Sequence, residues 1–218
     1  MLKAIVFDFD GLIVDTETAW FAAYQEIVRE YGGELPLEEF AKCIGTTDEV
    51  LHTFLQGELK EKWNKEHIEE KVEILHREKM KLPVAREGVN EYLEEAKKLD
   101  LKIGLASSSS RKWVTNFLKE LGLQKYFEVI KTKEDVLQVK PDPALYVSAV
   151  NELGVHPSEV IAFEDSVNGA RAAIAAGLKC VIVPNEVTKS LSFETHHLRL
   201  NSMKDKNLAE VIEFIKKK

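Results

Sequence analysis

The chain has 218 residues, 44% hydrophobic and 31% charged, with 30 lysines and arginines against 37 aspartates and glutamates, a net charge of −7. This composition is that of a globular protein with an ordinary apolar core, and its acidic balance supplies no field to gather nucleic acid or an anionic lipid surface. Two cysteines, Cys43 and Cys180, argue against a disulfide framework, and no run reaches the ~18 apolar residues of a membrane span, so a soluble, cytoplasmic protein with no nucleic-acid or membrane partner is expected.

Residues 4–7, Ala-Ile-Val-Phe, form a short β-rich apolar run that predicts a buried strand. Residues 16–81 are helical in period with no strand pattern, and their 9 basic and 15 acidic residues hold nearly all the net charge. A helix follows over 89–99, with Val89, Tyr92, Leu93, Ala96 and Leu99 on one face. Strands are predicted over 101–106, 159–163 and 179–183, and helices over 114–121, 142–154 and 166–177, each helix closing on a glycine. Strand and helix in alternation predict an α/β fold, a Rossmann-like parallel sheet covered on both faces. The helical segment then reads as an insertion, which divides the chain into a core of residues 1–15 and 82–218 and a smaller domain of residues 16–81 over the carboxyl edge of the sheet.

The first strand runs into Asp8-Phe9-Asp10-Gly11, where two carboxylates at i and i+2 share a side of an extended backbone. They stand at the edge where open α/β sheets bind ligands. The strand at 159–163 runs into a second acidic pair, Glu164-Asp165, which taken alone reads equally as the cap of the next helix, through Asp165 or Ser166. Four carboxylates at one sheet edge would repel one another and any phosphate. A hard divalent cation with oxygen preference, Mg²⁺ foremost, resolves that repulsion. Ser107 stands at the tip of the strand at 101–106, while Ser108, Ser109 and Ser110 are assigned to capping the helix that begins near Arg111. Lys140 precedes Pro141, which holds it out of helical conformation just before a helix start.

Taken in order, these segments resemble the motifs of the haloacid dehalogenase-like hydrolase superfamily over nearly the whole chain. Residues 8–16 look like the first motif, Ser107 the second, Lys140-Pro141 the third and Phe163-Glu164-Asp165-Ser166 the fourth. The insertion is similar to the small α-helical cap of the branch containing phosphoglycolate phosphatase and β-phosphoglucomutase. The resemblance implies Asp8 as a nucleophile that carries the phosphoryl group and Asp10 as general acid and then general base. It implies Mg²⁺ held by Asp8, the main-chain carbonyl of Asp10, Glu164 and Asp165. Ser107 and Lys140 would meet the phosphoryl oxygens. The acid at position 10 favours phosphate esters over halides, since halide leaves without a proton.

The expected activity is therefore a Mg²⁺-dependent phosphatase of a small phosphorylated metabolite, with a sugar phosphomutase as the alternative. Trp20 stands where the mutase branch carries a histidine, and residues 43–48 look like its cap specificity loop with an acid near the expected arginine. A response-regulator receiver fits less well, because the candidate nucleophile ends the first strand and an insertion interrupts the core. Trp20, Phe21 and Tyr24 are expected to pack within the cap, and Arg77 and Lys79 to lie on a solvated helix face. The six histidines show no zinc-ligand spacing with the cysteines.

Overall fold

The computed structural model describes residues 2–44 and 49–217. Strand β1 (Ala4–Phe7) is followed by four helices, α1 (Thr16–Glu30), α2 (Leu37–Ala41), α3 (Glu49–Leu59) and α4 (Lys65–Lys79). Then come α5 (Val89–Lys98), β2 (Lys102–Ala106), α6 (Arg111–Glu120), β3 (Val129–Lys131), α7 (Ala144–Leu153) and β4 (Val160–Glu164). The chain continues through α8 (Val167–Ala175), β5 (Lys179–Ile182), β6 (Leu198–Arg199) and α9 (Leu208–Lys216). The strands form one sheet in the order β3-β2-β1-β4-β5-β6, and every pairing is parallel.

The two-residue period of the strands decides the layering. Ile5, Phe7, Ile103, Leu105, Ile161 and Phe163 face one side of the sheet, where α5, α6 and α9 cover them. Ala4, Val6, Ala106, Val160 and Ala162 face the other, beneath α7 and α8. Each large apolar side chain buried this way contributes about 1.5–3 kcal/mol. Helices α1 to α4 share a third apolar cluster, which includes Ala23, Ile27, Leu51, Leu55, Ile68 and Val72. No helix among the described residues is long and apolar enough to cross a membrane.

The register positions the chemistry. Phe7 lies beside Leu105 of β2 and Phe163 of β4, so the residues that leave these three strand tips emerge side by side. Strands β3 and β6 and helix α9 have no counterpart among the elements expected from the sequence. The two strands span three and two residues, too few to display a period.

Candidate active site

Asp8 is the first residue beyond β1, and its N–H still donates to the Phe163 carbonyl at 3.0 Å, which holds it against β4. Lys140 reaches it from the segment before α7, next to a cis peptide bond with Pro141. The Lys140 Nζ donates to Asp8 Oδ1 at 2.5 Å and to Glu164 Oε1 at 2.7 Å, all three side chains being buried. The ammonium also lies over the Tyr146 ring, 4.9 Å from its centroid, and the Tyr146 hydroxyl donates to Glu164 Oε1 at 2.7 Å. Glu164 Oε2 accepts from the Ser166 hydroxyl at 3.1 Å and from the Asp165 and Ser166 N–H groups at 3.2 and 3.3 Å. Ser166 also caps α8 by accepting from the Gly169 N–H. A Cβ at Gly169 would fall 1.9 Å from Glu164 Oε1, so only glycine lets the helix start seat on this carboxylate.

Asp165 is also buried. Its Oδ2 accepts from Asn185 Nδ2 at 2.8 Å, while its Oδ1 is buried with no partner. Asp8, Glu164 and Asp165 each offer an oxygen, and these atoms lie within 4.8 Å of one another. Burial pushes the Asp8 carboxyl up to about 7 against the pull of Lys140, with Glu164 and Asp10 adding to the rise. Burial, then Asp8 and Glu164, hold Asp165 well above the carboxylate range. For Lys140 burial acts downward, but Asp8 and Glu164 outweigh it and keep the ammonium charged. The loop beyond Asp8 turns at Gly11, whose φ of +73° suits glycine. Arg86 ties this loop down, donating to the Gly11 carbonyl and, at 3.0 and 2.7 Å, to the carbonyls of Val183 and Pro184.

The Asp10 carboxylate lies outside the group of three; what the resemblance assigns it there is its main-chain carbonyl. Its Oδ1 accepts from Trp113 Nε1 at 2.8 Å and Thr16 Oγ1 at 2.9 Å. Its Oδ2 accepts from Ser109 Oγ at 2.6 Å and lies 3.5 Å from Ser107 Oγ. Ser110 caps α6, as the sequence predicts, whereas Ser109 reaches Asp10 instead of serving the helix end. Ser107 is buried at the β2 tip, its hydroxyl accepting from the Ser109 N–H at 3.0 Å.

A cavity of about 560 Å³ opens over Asp8, Asp10 and Ser107. Trp20, Tyr24, Phe40 and Ile44 supply apolar wall, so Trp20 and Tyr24 face the cavity as well as packing within the inserted helices. Among the described residues that line it, Lys133 is the one lysine or arginine, while Glu17, Glu69 and Glu73 add acid from the inserted helices. Residues 45–48 of the expected specificity loop lie outside the described residues. Arg77 and Lys79 pair with Glu73 and Glu26 on the exposed surface.

Sequence reasoning missed Thr16, Ser109, Trp113, Tyr146 and Asn185. Asn185 carried a readable signal, a polar residue just past the strand at 179–183 on the same sheet edge. Trp113 and Tyr146 carried none, because they look like ordinary apolar positions of amphipathic helices.

Residues 5–183 match the haloacid dehalogenase-like hydrolase family. YhcW of Bacillus subtilis, which is named as a phosphatase, is 49% identical over 216 residues, covering 99% of this chain and 98% of that protein. The phosphorylated carbohydrates phosphatase of Thermotoga maritima is 32% identical over 182 residues, 82% of this chain and 83% of that one. The crystal structure of CbbY from Rhodobacter sphaeroides in complex with phosphate superposes with a TM-score of 0.76 at 28% identity, over 96% of this chain and 98% of that chain. The tips of β1, β2 and β4, the buried lysine between them and these likenesses agree, and the chain belongs to the haloacid dehalogenase-like hydrolase family.

Proposed function

We propose that the protein is a Mg²⁺-dependent phosphatase of a small phosphomonoester, a sugar carrying one phosphate, and that the phosphoryl group passes through Asp8. The observation that carries this reading is the group Asp8, Glu164 and Asp165 gathered against Lys140 beneath a cavity that also reaches Asp10. Three carboxyl groups share one ammonium in a buried place, where burial and mutual repulsion push Asp8 and Asp165 up, and Asp165 Oδ1 is buried without a partner. A hard divalent cation fits both facts. Asp8, Glu164 and Asp165, with the Asp10 main-chain carbonyl, would hold it. Bound Mg²⁺ would offset the charge that otherwise repels a phosphate from Asp8.

The chain's own residues then divide the work. The Asp8 carboxylate attacks phosphorus as the bond to the ester oxygen breaks, and Asp10 gives its proton to that leaving oxygen. Ionised Asp10 next takes a proton from the water that attacks the same phosphorus. The bond from phosphorus to Asp8 breaks, and inorganic phosphate leaves. Ser107 and Lys140 meet the phosphoryl oxygens with donors already in place. Residues 16–81 act as the cap over the core of residues 1–15 and 82–218, and their wall of rings and acids suits the uncharged body of a sugar better than a second phosphate. The names of YhcW and of the Thermotoga maritima relative support this substrate class.

A panel of phosphorylated sugars, with inorganic phosphate as the readout, tests the reading. Phosphate release with Mg²⁺ and its loss in EDTA are expected. Release unaffected by EDTA, or conversion of glucose 1-phosphate to glucose 6-phosphate without release, contradicts it.

A further inference from the structure

We infer that Trp113 is a positioning residue for Asp10, fixing on which carboxylate oxygen the transferable proton sits; the inference rests on the acid–base role proposed for Asp10. The indole N–H can donate and never accept. It lies 2.8 Å from Asp10 Oδ1, which also accepts from the Thr16 hydroxyl at 2.9 Å. An oxygen facing a donor that cannot reverse is the poorer place for a proton, because on Oδ1 only the Thr16 hydroxyl could turn to receive it and a protonated oxygen accepts weakly from the indole. Protonated Asp10 therefore carries its proton on Oδ2.

Neither neighbour of Oδ2 is fixed in the way the indole is. Ser109 Oγ at 2.6 Å and Ser107 Oγ at 3.5 Å are hydroxyls, which donate to an ionised carboxylate and accept from a protonated one. Both partners of Oδ2 thus suit both states through which a general acid must pass, whereas at Oδ1 the indole suits only the ionised one and Thr16 alone can reverse. Ser107 and Ser109 line the cavity beside Asp8, so the proton is kept on the side where the ester oxygen departs.

The indole is seated from both parts of the molecule. On its own helix it meets Phe117 edge-on at 4.7 Å between centroids. From the inserted helices, Trp20 of α1 lies 6.2 Å away and His76 of α4 lies 5.6 Å away, and those two rings stack on each other at 3.7 Å. His76 also hydrogen-bonds the Thr16 backbone, so one aromatic cluster seats both donors that hold Oδ1. The docking of α1 and α4 against α6 thereby sets the orientation of the Asp10 carboxylate.

Trp113→Phe keeps a ring and removes the N–H. First-turnover cleavage of p-nitrophenyl phosphate, whose leaving group needs little help from an acid, is compared with that of phenyl phosphate, which needs more. The variant should raise the ratio of the two rates by about tenfold, out of the about 10²–10⁴ that a general acid supplies, with KM for both esters within about twofold of wild type. Equal losses on both esters, or an unchanged ratio, overturn the inference. If the Phe variant does not fold, β-(3-benzothienyl)alanine at position 113 preserves the shape, replaces N–H by sulfur and is read the same way. Asp10→Asn run alongside separates the two levels. A raised ratio there with an unchanged ratio at Trp113 removes only the positioning role, whereas equal losses at Asp10 remove the acid role itself.

Discussion

Lys140 Nζ lies 2.5 Å from Asp8 Oδ1 with both side chains buried, an ion pair between residues 132 positions apart in the chain. Together with the Glu164 contact it binds the segment before α7 to the ends of β1 and β4. Removing one partner of a buried pair leaves uncompensated charge, which costs about 3–5 kcal/mol. Lys140→Met should therefore lower stability by about that amount in urea unfolding, whereas a loss below about 1 kcal/mol would mean the ion pair is replaceable.

Protonated Asp8 cannot ligate a cation, so metal binding must displace its proton. With its carboxyl pushed up to about 7 by burial and that of Asp165 raised as well, Mg²⁺ affinity should rise by at least about tenfold per pH unit as pH approaches 7 from below. For the metal-free protein the sign runs the other way. The folded carboxyl binds its proton more tightly than the unfolded one, with an ordinary value of 3.8, so Asp8 makes the fold less stable as pH rises through that window. Calorimetric titration with Mg²⁺ between pH 5 and 8 checks the first statement, and Asp8→Asn should reduce the slope.

His76 shows the opposite linkage. Burial lowers its pKa to about 4 from an ordinary 6.5, against the raising effect of the Thr16 backbone hydrogen bond, and its Nε2 is buried without a partner. The unfolded chain takes up the proton first as pH falls, so stability is fully present above 6.5 and is lost as pH drops towards 4. His76→Phe keeps a flat ring against Trp20 and removes the titration. The gap in Tm between wild type and this variant should shift in favour of the variant on going from pH 7.5 to pH 5; a constant gap contradicts the assignment.

Gly11 turns with a φ of +73°, and a Cβ there would lie 2.2 Å from Asp165 Oδ2 and 2.5 Å from Asn185 Nδ2. Gly11→Ala must displace the carboxylate that has a free oxygen. It should weaken Mg²⁺ binding by at least tenfold and cost about 1–3 kcal/mol of stability through the strained backbone alone. Unaltered Mg²⁺ affinity in calorimetry would show that Asp165 takes no part in holding the cation.

The sheet is legible in the sequence wherever a strand is long enough to speak. Strands β1, β2, β4 and β5 are runs of four or five residues, mostly apolar, the first three ending in or against polar residues, and the alternation with α5 to α8 implies their parallel pairing. The polar residues at those ends, Asp8, Ser107, Glu164 and Asp165, are legible for the same reason, because parallel strands deliver them to one edge. Strand β3 is held by its pairing with β2 and β6 by its pairing with β5, which are tertiary facts. The partners of Asp10 are tertiary in the same sense. Trp113 lies 103 residues away in sequence and looks like one more apolar position on α6; that its N–H meets the carboxylate depends on how that helix packs in the folded chain. Helix α9 is the exception, since Leu208, Val211, Ile212 and Ile215 carry a plain helical period that the reading of the chain left unused.

The central claim is that Asp8 carries the phosphoryl group. Asp10→Asn supplied with p-nitrophenyl phosphate and Mg²⁺ should form the adduct, because the leaving group needs no acid, and should hydrolyse it slowly, because the base is gone. Acid-quenched protein analysed by peptide mass spectrometry is predicted to carry one phosphoryl group on Asp8, and Asp8→Asn to carry none. Release of p-nitrophenol with no adduct, or with the phosphoryl group on any other residue, would contradict the account.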